Sequence, residues 1–172
     1  MKTCSERSRF DAEQKEALTQ YWDYSYNKDQ PKNMTYGPAY WQSMSQLQET
    51  ARFVFDLNFV KNDSDYIYNL RACVNETFKQ VDHDKIYLWE IGNENDVDVS
   101  QHFRPANWTV DEFAEEWVNR SRSINQQHNN ELRFMAPSLS GLNAEFSPYR
   151  MLDPNDLNMD RDKWISEISH HM

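Results

Sequence analysis

Lys85–Asp96 reads K-I-Y-L-W-E-I-G-N-E-N-D, an apolar run that ends abruptly in glycine and a cluster of carboxylate and carboxamide side chains. Ile86, Tyr87, Leu88, Trp89 and Ile91 give the near-continuous hydrophobic, β-branched and aromatic character of a parallel strand covered on both faces. Gly92 breaks the run, and Asn93 and Glu94 follow where the strand turns into a loop. In (β/α) barrels the C-terminal ends of the strands face the active site, so a polar pair at that end is a functional candidate. The competing reading is an ordinary strand that stops in polar loop residues.

Outward from this strand, the chain alternates strand and helix patterns. Asp11 followed by Gln14, with Ala17, Leu18, Tyr21 and Trp22 at helical spacing, predicts a helix over Asp11–Tyr24. Arg52–Val60, R-F-V-F-D-L-N-F-V, has strand composition. Its Asn58 is either a strand-terminal loop residue or a residue of the pocket rim. Ile67, Leu70, Val74 and Phe78 mark one face of a helix over Asp65–Val81. Val97–Asn107 is a polar loop in which His102 and Arg104 read as solvated. Thr109 with Glu112 has capping-box spacing, and Phe113, Trp117 and Ile124 give the helix that follows a buried stripe to about Gln127. Ser140–Asp162 is long and irregular, the kind of connection that passes over a site.

W-E-I-G-N-E-N-D at 89–96, followed by H-F-R-P-A-N-W-T-V-D-E-F-A-E-E-W at 102–117, resembles strand four and the next loop and helix of glycoside hydrolase family 79, the β-glucuronidase and heparanase-like enzymes. The resemblance is strongest over 89–117 and looser elsewhere. It implies a retaining glycosidase on a (β/α)₈ TIM barrel, with Glu94 as general acid/base and Asn93 as the preceding residue that contacts the sugar. The family usually has Pro after that Glu, where this chain has Asn95, a change expected to make the turn less rigid. M-T-Y-G-P-A-Y-W at 34–41 resembles the segment between the second helix and strand three, L-R-F-M-A-P-S-L at 132–139 resembles strand five, with Pro137 and Ser138 at the site-facing end, and W-I-S-E-I-S-H-H-M at 164–172 resembles strand six. On that alignment Asn58 and His171 are substrate-binding candidates. The expected fold class is α/β, a partial barrel of roughly strands 3 to 6 with their helices, forming one incomplete catalytic domain over residues 1–172.

Length agrees with an incomplete barrel, since the chain has 172 residues, whereas a complete barrel takes about 250 and rarely fewer than about 200. The formal net charge of −10 argues against a nucleic-acid or anionic-membrane partner. It also counts against a strongly sulfated substrate. No run approaches the roughly 18 apolar residues of a membrane span, and the charged first thirty residues hold no signal-peptide core. N-x-S/T acceptors at Asn33, Asn62, Asn75, Asn107 and Asn119 nevertheless suggest a glycoprotein secreted in its full-length form. Cys4 and Cys73 form one bridge or stay as two thiols. His170–His171 has no partner at a metal-binding interval, and neither metal nor cofactor is expected. The expected partner is an oligosaccharide or glycoside.

Retaining hydrolysis needs two carboxyl groups about 5–5.5 Å apart, one to protonate the leaving oxygen and one to attack the anomeric carbon. The resemblance places the attacking group after strand six, beyond Met172. Glu90 precedes Glu94 by four residues, on the same strand face if alternation continues, but at a distance of about 13 Å. It reads as a barrel-interior residue, and Glu145 has no positional match to the nucleophile. Two readings follow: a piece of a retaining β-glucuronidase that is inactive alone, or a non-catalytic carbohydrate-binding or structural remnant of such a barrel.

Overall fold

A computed structural model describes residues 18–21, 33–36, 38–60, 66–100, 103–141 and 145–170. The fold is α/β, and the chain divides into two compact units, Met1–Tyr87 and Leu88–Met172.

In the first unit, β1 (Leu18–Tyr21) and β2 (Asn33–Tyr36) pair antiparallel, with Leu18 opposite Tyr36 and Tyr21 opposite Asn33. Residues 18–21 are therefore strand and not the predicted helix, the rest of which lies outside the described residues. Leu-Thr-Gln-Tyr and Asn-Met-Thr-Tyr each carry β-branched or aromatic residues, and a paired ladder overrides a short helical periodicity. Helix α1 (Pro38–Ser45) starts on a proline, whose fixed φ suits a first helical position. Its Trp41 is buried and packs on Phe55 of strand β3 (Phe53–Leu57), ring centroids 5.8 Å apart.

Strand β3 is shorter than Arg52–Val60, and burial deepens toward its C-terminal end, so that Phe55, Asp56, Leu57, Asn58 and Phe59 are all buried. Helix α2 (Tyr66–Gln80) falls within the predicted span. Leu70 and Val74 lie on its buried face as expected, joined by Asn69, Cys73 and Thr77, while Ile67 and Phe78 are half-buried. Thr77 Oγ1 donates to the carbonyl of Cys73, one turn back, which allows a hydroxyl at full burial. Cys73 is disulfide-bonded, which decides between the two readings left open by the sequence. The chain's other cysteine, Cys4, lies outside the described residues.

Strand β4 (Ile86–Ile91) enters the second unit at Leu88, and Leu88, Trp89, Glu90 and Ile91 are buried without alternation, as a strand covered on both faces requires. There it pairs parallel with β5 (Phe134–Leu139), which pairs parallel with β6 (Ile165–His170), in the order β4-β5-β6. Trp89 lies opposite Phe134, and Phe134 opposite Ile165. The register of β5 against β6 shifts between Met135 and Ser138, where Pro137 has no N–H to give a ladder.

Between β4 and β5 runs α3 (Val110–Asn125) with its predicted capping box: Thr109 Oγ1 accepts from the Glu112 N–H, and Glu112 Oε2 accepts from the Thr109 N–H at 2.8 Å. Phe113, Trp117 and Ile124 are all buried. Trp117 meets Phe134 edge-on at 5.6 Å, tying the helix to β5. At the helix end the buried Asn125 side chain both accepts from the Leu132 N–H and donates to its carbonyl, which aims the chain into β5.

The irregular stretch after β5 is held against α3. Phe146, Met151 and Met159 are buried, and Phe146 touches the rings of Trp108 and Phe113. A short helix α4 (Pro148–Leu152) lies within it. Arg150 pairs with Asp111 and Asp156, Arg161 with Glu115, and Asp162 with Arg122. Among the described residues, 146–162 thus cover the helix, while Ser140 and Gly141 at the start of the stretch bond to Asp96 in the loop after β4.

Strand β6 ends the sheet order and leaves Ser166, Glu167 and Ile168 exposed, Ile168 by 54%. Among the described residues no strand pairs beyond β6, and a sheet edge carrying an exposed β-branched residue is a template for pairing with another chain. The chain is accordingly expected to self-associate when produced alone, and Ile168→Lys to shift it toward monomer in sedimentation velocity. An unchanged sedimentation profile would show that this edge is not the adhesive surface.

Candidate active site

Asn93 and Glu94 sit just past the C-terminal end of β4, at the end of the parallel sheet where β5 and β6 also finish. The chain turns through Gly92 (φ 80°) and then Glu94 (φ 56°, ψ 42°), both left-handed. For a residue with a Cβ that conformation costs roughly 1–2 kcal/mol. Strand alternation therefore stops at Ile91, and the same-face relation expected between Glu90 and Glu94 does not hold. Glu90 remains on the strand and is fully buried.

Several contacts hold Glu94 in this conformation. Its N–H donates to the Ser138 carbonyl on β5 at 2.9 Å, and its own carbonyl accepts from the Val97 N–H at 3.1 Å in a short 3₁₀ turn, Asn95–Val97. Asp96 reaches across to the residues that follow β5. Its carboxylate accepts from Ser140 N–H at 2.8 Å, from Ser140 Oγ at 2.8 Å and from Gly141 N–H at 3.2 Å. The loop carrying Glu94 is thus fastened to β5 immediately before and after the turn. A strained residue held by its surroundings is typical of functional sites.

Asn95, where the family pattern has proline, is buried, and its Nδ2 donates to Asp98 Oδ2 at 3.2 Å. A side-chain bond here supplies restraint that a proline ring supplies through φ. Beneath it lies a cluster absent from the sequence expectations: Asp98, Arg104 and Arg120 are buried, and Glu116 bonds to both guanidinium groups. Arg104, expected to be solvated, also donates to the Phe103 carbonyl and lies over the Trp108 ring at 5.2 Å. Its burial follows from Glu116, one turn before Arg120 on α3, which gives both cations a shared anion. Burial pushes the Asp98 carboxyl up to about 7, against the lowering effects of the Asn95 bond and the two arginines.

Beside Glu94, Asn93 Oδ1, Asn95 Oδ1 and Ser138 Oγ are buried and have no hydrogen-bond partner among the described residues. Leaving one such atom unpaired costs about 1–3 kcal/mol, and each of these oxygens has the capacity to accept a further hydrogen bond. Of the other residues proposed from sequence, Asn58 is buried directly after β3 in the first unit, and His171 lies outside the described residues. His102 lies outside them too. No group of three or more His, Cys, Asp and Glu that could hold a metal ion occurs among the described residues, nor does a helix long and apolar enough to cross a membrane.

No family model matches the chain. A β-glucuronidase of Aspergillus niger is 29% identical over 133 residues, covering 72% of this chain and 24% of that protein. The chain is similar in sequence to fungal β-glucuronidases. A second, from Neurospora crassa, is 25% identical over 134 residues, 70% of this chain and 24% of that protein. The chain spans about a quarter of the length of the curated relatives it matches. Among solved structures, a 4-O-α-L-rhamnosyl-β-D-glucuronidase of Fusarium oxysporum superposes with a TM-score of 0.60 at 14% identity, over 90% of this chain and 32% of that one, a likeness of fold.

Two outcomes follow from this geometry. Removing the Asp96 carboxylate in Asp96→Ala deletes three hydrogen bonds to a charged acceptor and is expected to cost about 2 kcal/mol. It should also speed amide exchange at Glu94, Ser140 and Gly141; unchanged protection there would show that the loop is held by other means. For Asp98, the folded chain keeps a proton up to about pH 7 that the unfolded chain gives up near its ordinary value of 3.8. Between those values the folded state binds more protons, so this group's contribution to stability falls as pH rises. Asp98→Asn should therefore flatten the melting temperature between pH 4 and 7 relative to the parent, read by scanning calorimetry.

Proposed function

We propose that the chain supplies the acid/base half of a retaining β-glucuronidase site, within a partial (β/α)₈ barrel corresponding to strands 3 to 6. The observation that carries this reading is Glu94, held left-handed at the C-terminal end of parallel strands beside the unpaired polar atoms of Asn93 and Ser138. The kinship with fungal β-glucuronidases supplies the substrate class, a β-linked glucuronic acid or related sugar.

In this reading the Glu94 carboxyl donates its proton to the glycosidic oxygen as the bond to the anomeric carbon breaks. A second carboxylate attacks that carbon from the opposite face to form a glycosyl-enzyme. Glu94, now a carboxylate, takes a proton from water as the water displaces the enzyme, which restores both groups. Asn93 holds the sugar 2-hydroxyl, a contact that strengthens as positive charge develops on the ring. Asp96 is a positioning residue, acting through the loop that bears Glu94.

Two carboxylates are required, and Glu90 is a poor second one, being a fully buried residue of the strand itself. The chain alone is accordingly expected to leave an aryl β-glucuronide intact. The reading is tested by exchanging this segment into the Aspergillus niger relative and assaying β-glucuronides with good and poor leaving groups. Glu94→Gln in the chimera should lower kcat on the poor leaving group by about 10²–10⁴, less on the activated one, and azide should restore turnover as a β-glucuronyl azide. An active chimera indifferent to Glu94→Gln would overturn the assignment. The reading as a carbohydrate-binding remnant is favoured instead if the chain binds glucuronides by titration calorimetry and its chimera has no turnover.

A further inference from the structure

Five N-x-S/T sequons occur in the sequence, and three of them lie among residues whose side chains are described: Asn75-Glu76-Thr77 on α2, Asn107-Trp108-Thr109 before α3, and Asn119-Arg120-Ser121 on α3. All three asparagines are exposed, so a bulky sugar on any of them is compatible with the fold. Their hydroxyl residues differ. Thr77 and Ser121 are fully buried, and each hydroxyl donates to a carbonyl of its own helix, Thr77 to Cys73 and Ser121 to Val118, at 3.0 Å. Thr109 is exposed, at the non-helical N-cap, and among the described residues its hydroxyl bonds to Glu112 of the capping box.

Transfer of an N-glycan requires the transferase to reach both the asparagine amide and the hydroxyl two residues on. At Asn75 and Asn119 that means unwinding a helix and exposing a buried group. At Asn107 it means opening an exposed cap and shifting the half-buried Trp108 from Phe113, Phe146 and Arg104, with no helical turn unwound from its interior. A disulfide at Cys73 is compatible with an oxidising compartment, the setting in which such transfer occurs.

We propose that Asn107 is an N-glycosylation site that stays reactive in the folded chain, whereas Asn75 and Asn119 accept a glycan only before their helices form. In the reaction the Asn107 amide nitrogen forms a bond to the anomeric carbon of a polyprenyl-pyrophosphate-linked oligosaccharide. The bond from that carbon to the pyrophosphate oxygen breaks, the polyprenyl pyrophosphate leaves, and the nitrogen gives up one proton. This inference does not depend on the chemistry assigned to Glu94.

The test starts from the whole 172-residue chain, placed behind a cleavable secretion signal in yeast. Glycans are removed enzymatically in ¹⁸O-water, and peptide masses then report occupancy. A labelled Asp at position 107 is expected, with one glycan fewer in Asn107→Gln and unchanged occupancy in Thr109→Ser. If the chain is not secreted, translation into microsomes reads the same occupancy without requiring a stable fold, and an unmodified Asn107 in either system would overturn the site. Reactivity after folding is read separately. Oxidised, unglycosylated chain from a bacterial periplasm is incubated with purified oligosaccharyltransferase and the lipid-linked donor. Asn107 should react at least about tenfold faster than Asn75 or Asn119, a difference that vanishes in unfolding concentrations of urea applied before a rapid dilution. Equal rates at the three sites in the folded chain would refute the distinction.

Discussion

The bond from the Glu94 N–H to the Ser138 carbonyl, continued by the grip of Asp96 on Ser140 and Gly141, is the constraint on which the second unit's polar end depends. Parallel strands leave their terminal amides and carbonyls pointing along the ladder with no hairpin to absorb them. Here the loop leaving β4 uses those groups on β5 and, in doing so, fixes a glutamate in a conformation it would not adopt free. Strand pairing, Trp117 against Phe134 and the Asn125 bridge to Leu132 set where β5 lies. The position of Glu94 follows from that of β5.

The parts of the fold legible in the sequence are those where local pattern and burial agree. The apolar run at 86–91, the capping box at Thr109 and the stripe Phe113, Trp117, Ile124 all have a period or cap that no other structure satisfies as well. Residues 18–21 misled because four residues cannot carry a helical period against a partner strand fifteen positions on, and pairing is not written in local spacing. The catalytic candidate was legible because a glutamate after a glycine-terminated strand is a local feature. Its supports were not: Asp96 finds its donors 44 and 45 residues away, and Ser138 is reached only through sheet register.

Arg104 shows the same limit from the opposite side. A lone arginine in a polar loop is ordinarily wet, and only the turn that brings it to Glu116, together with Trp108 under its guanidinium, makes burial tolerable. With the buried Asp98 and Arg120 and the half-buried Glu116 it forms a set of two acids and two bases. Such a set adds little to stability over an apolar equivalent, but it discriminates strongly among alternative packings, since any shift strands a charge. Placed under the turn that carries Glu94, it makes that turn a feature of one packing only.

The cover that follows β5 is fastened at widely spaced points: Phe146, Met151 and Met159 by burial, Arg150, Arg161 and Asp162 by ion pairs along α3. Residues 153–156, between the buried Met151 and Met159, are exposed. Lengthening a loop between fixed ends is inexpensive, about 0.6 kcal/mol for each doubling. Over evolutionary time this segment is therefore free to gain or lose residues, and a domain inserted there would leave both helix and sheet undisturbed.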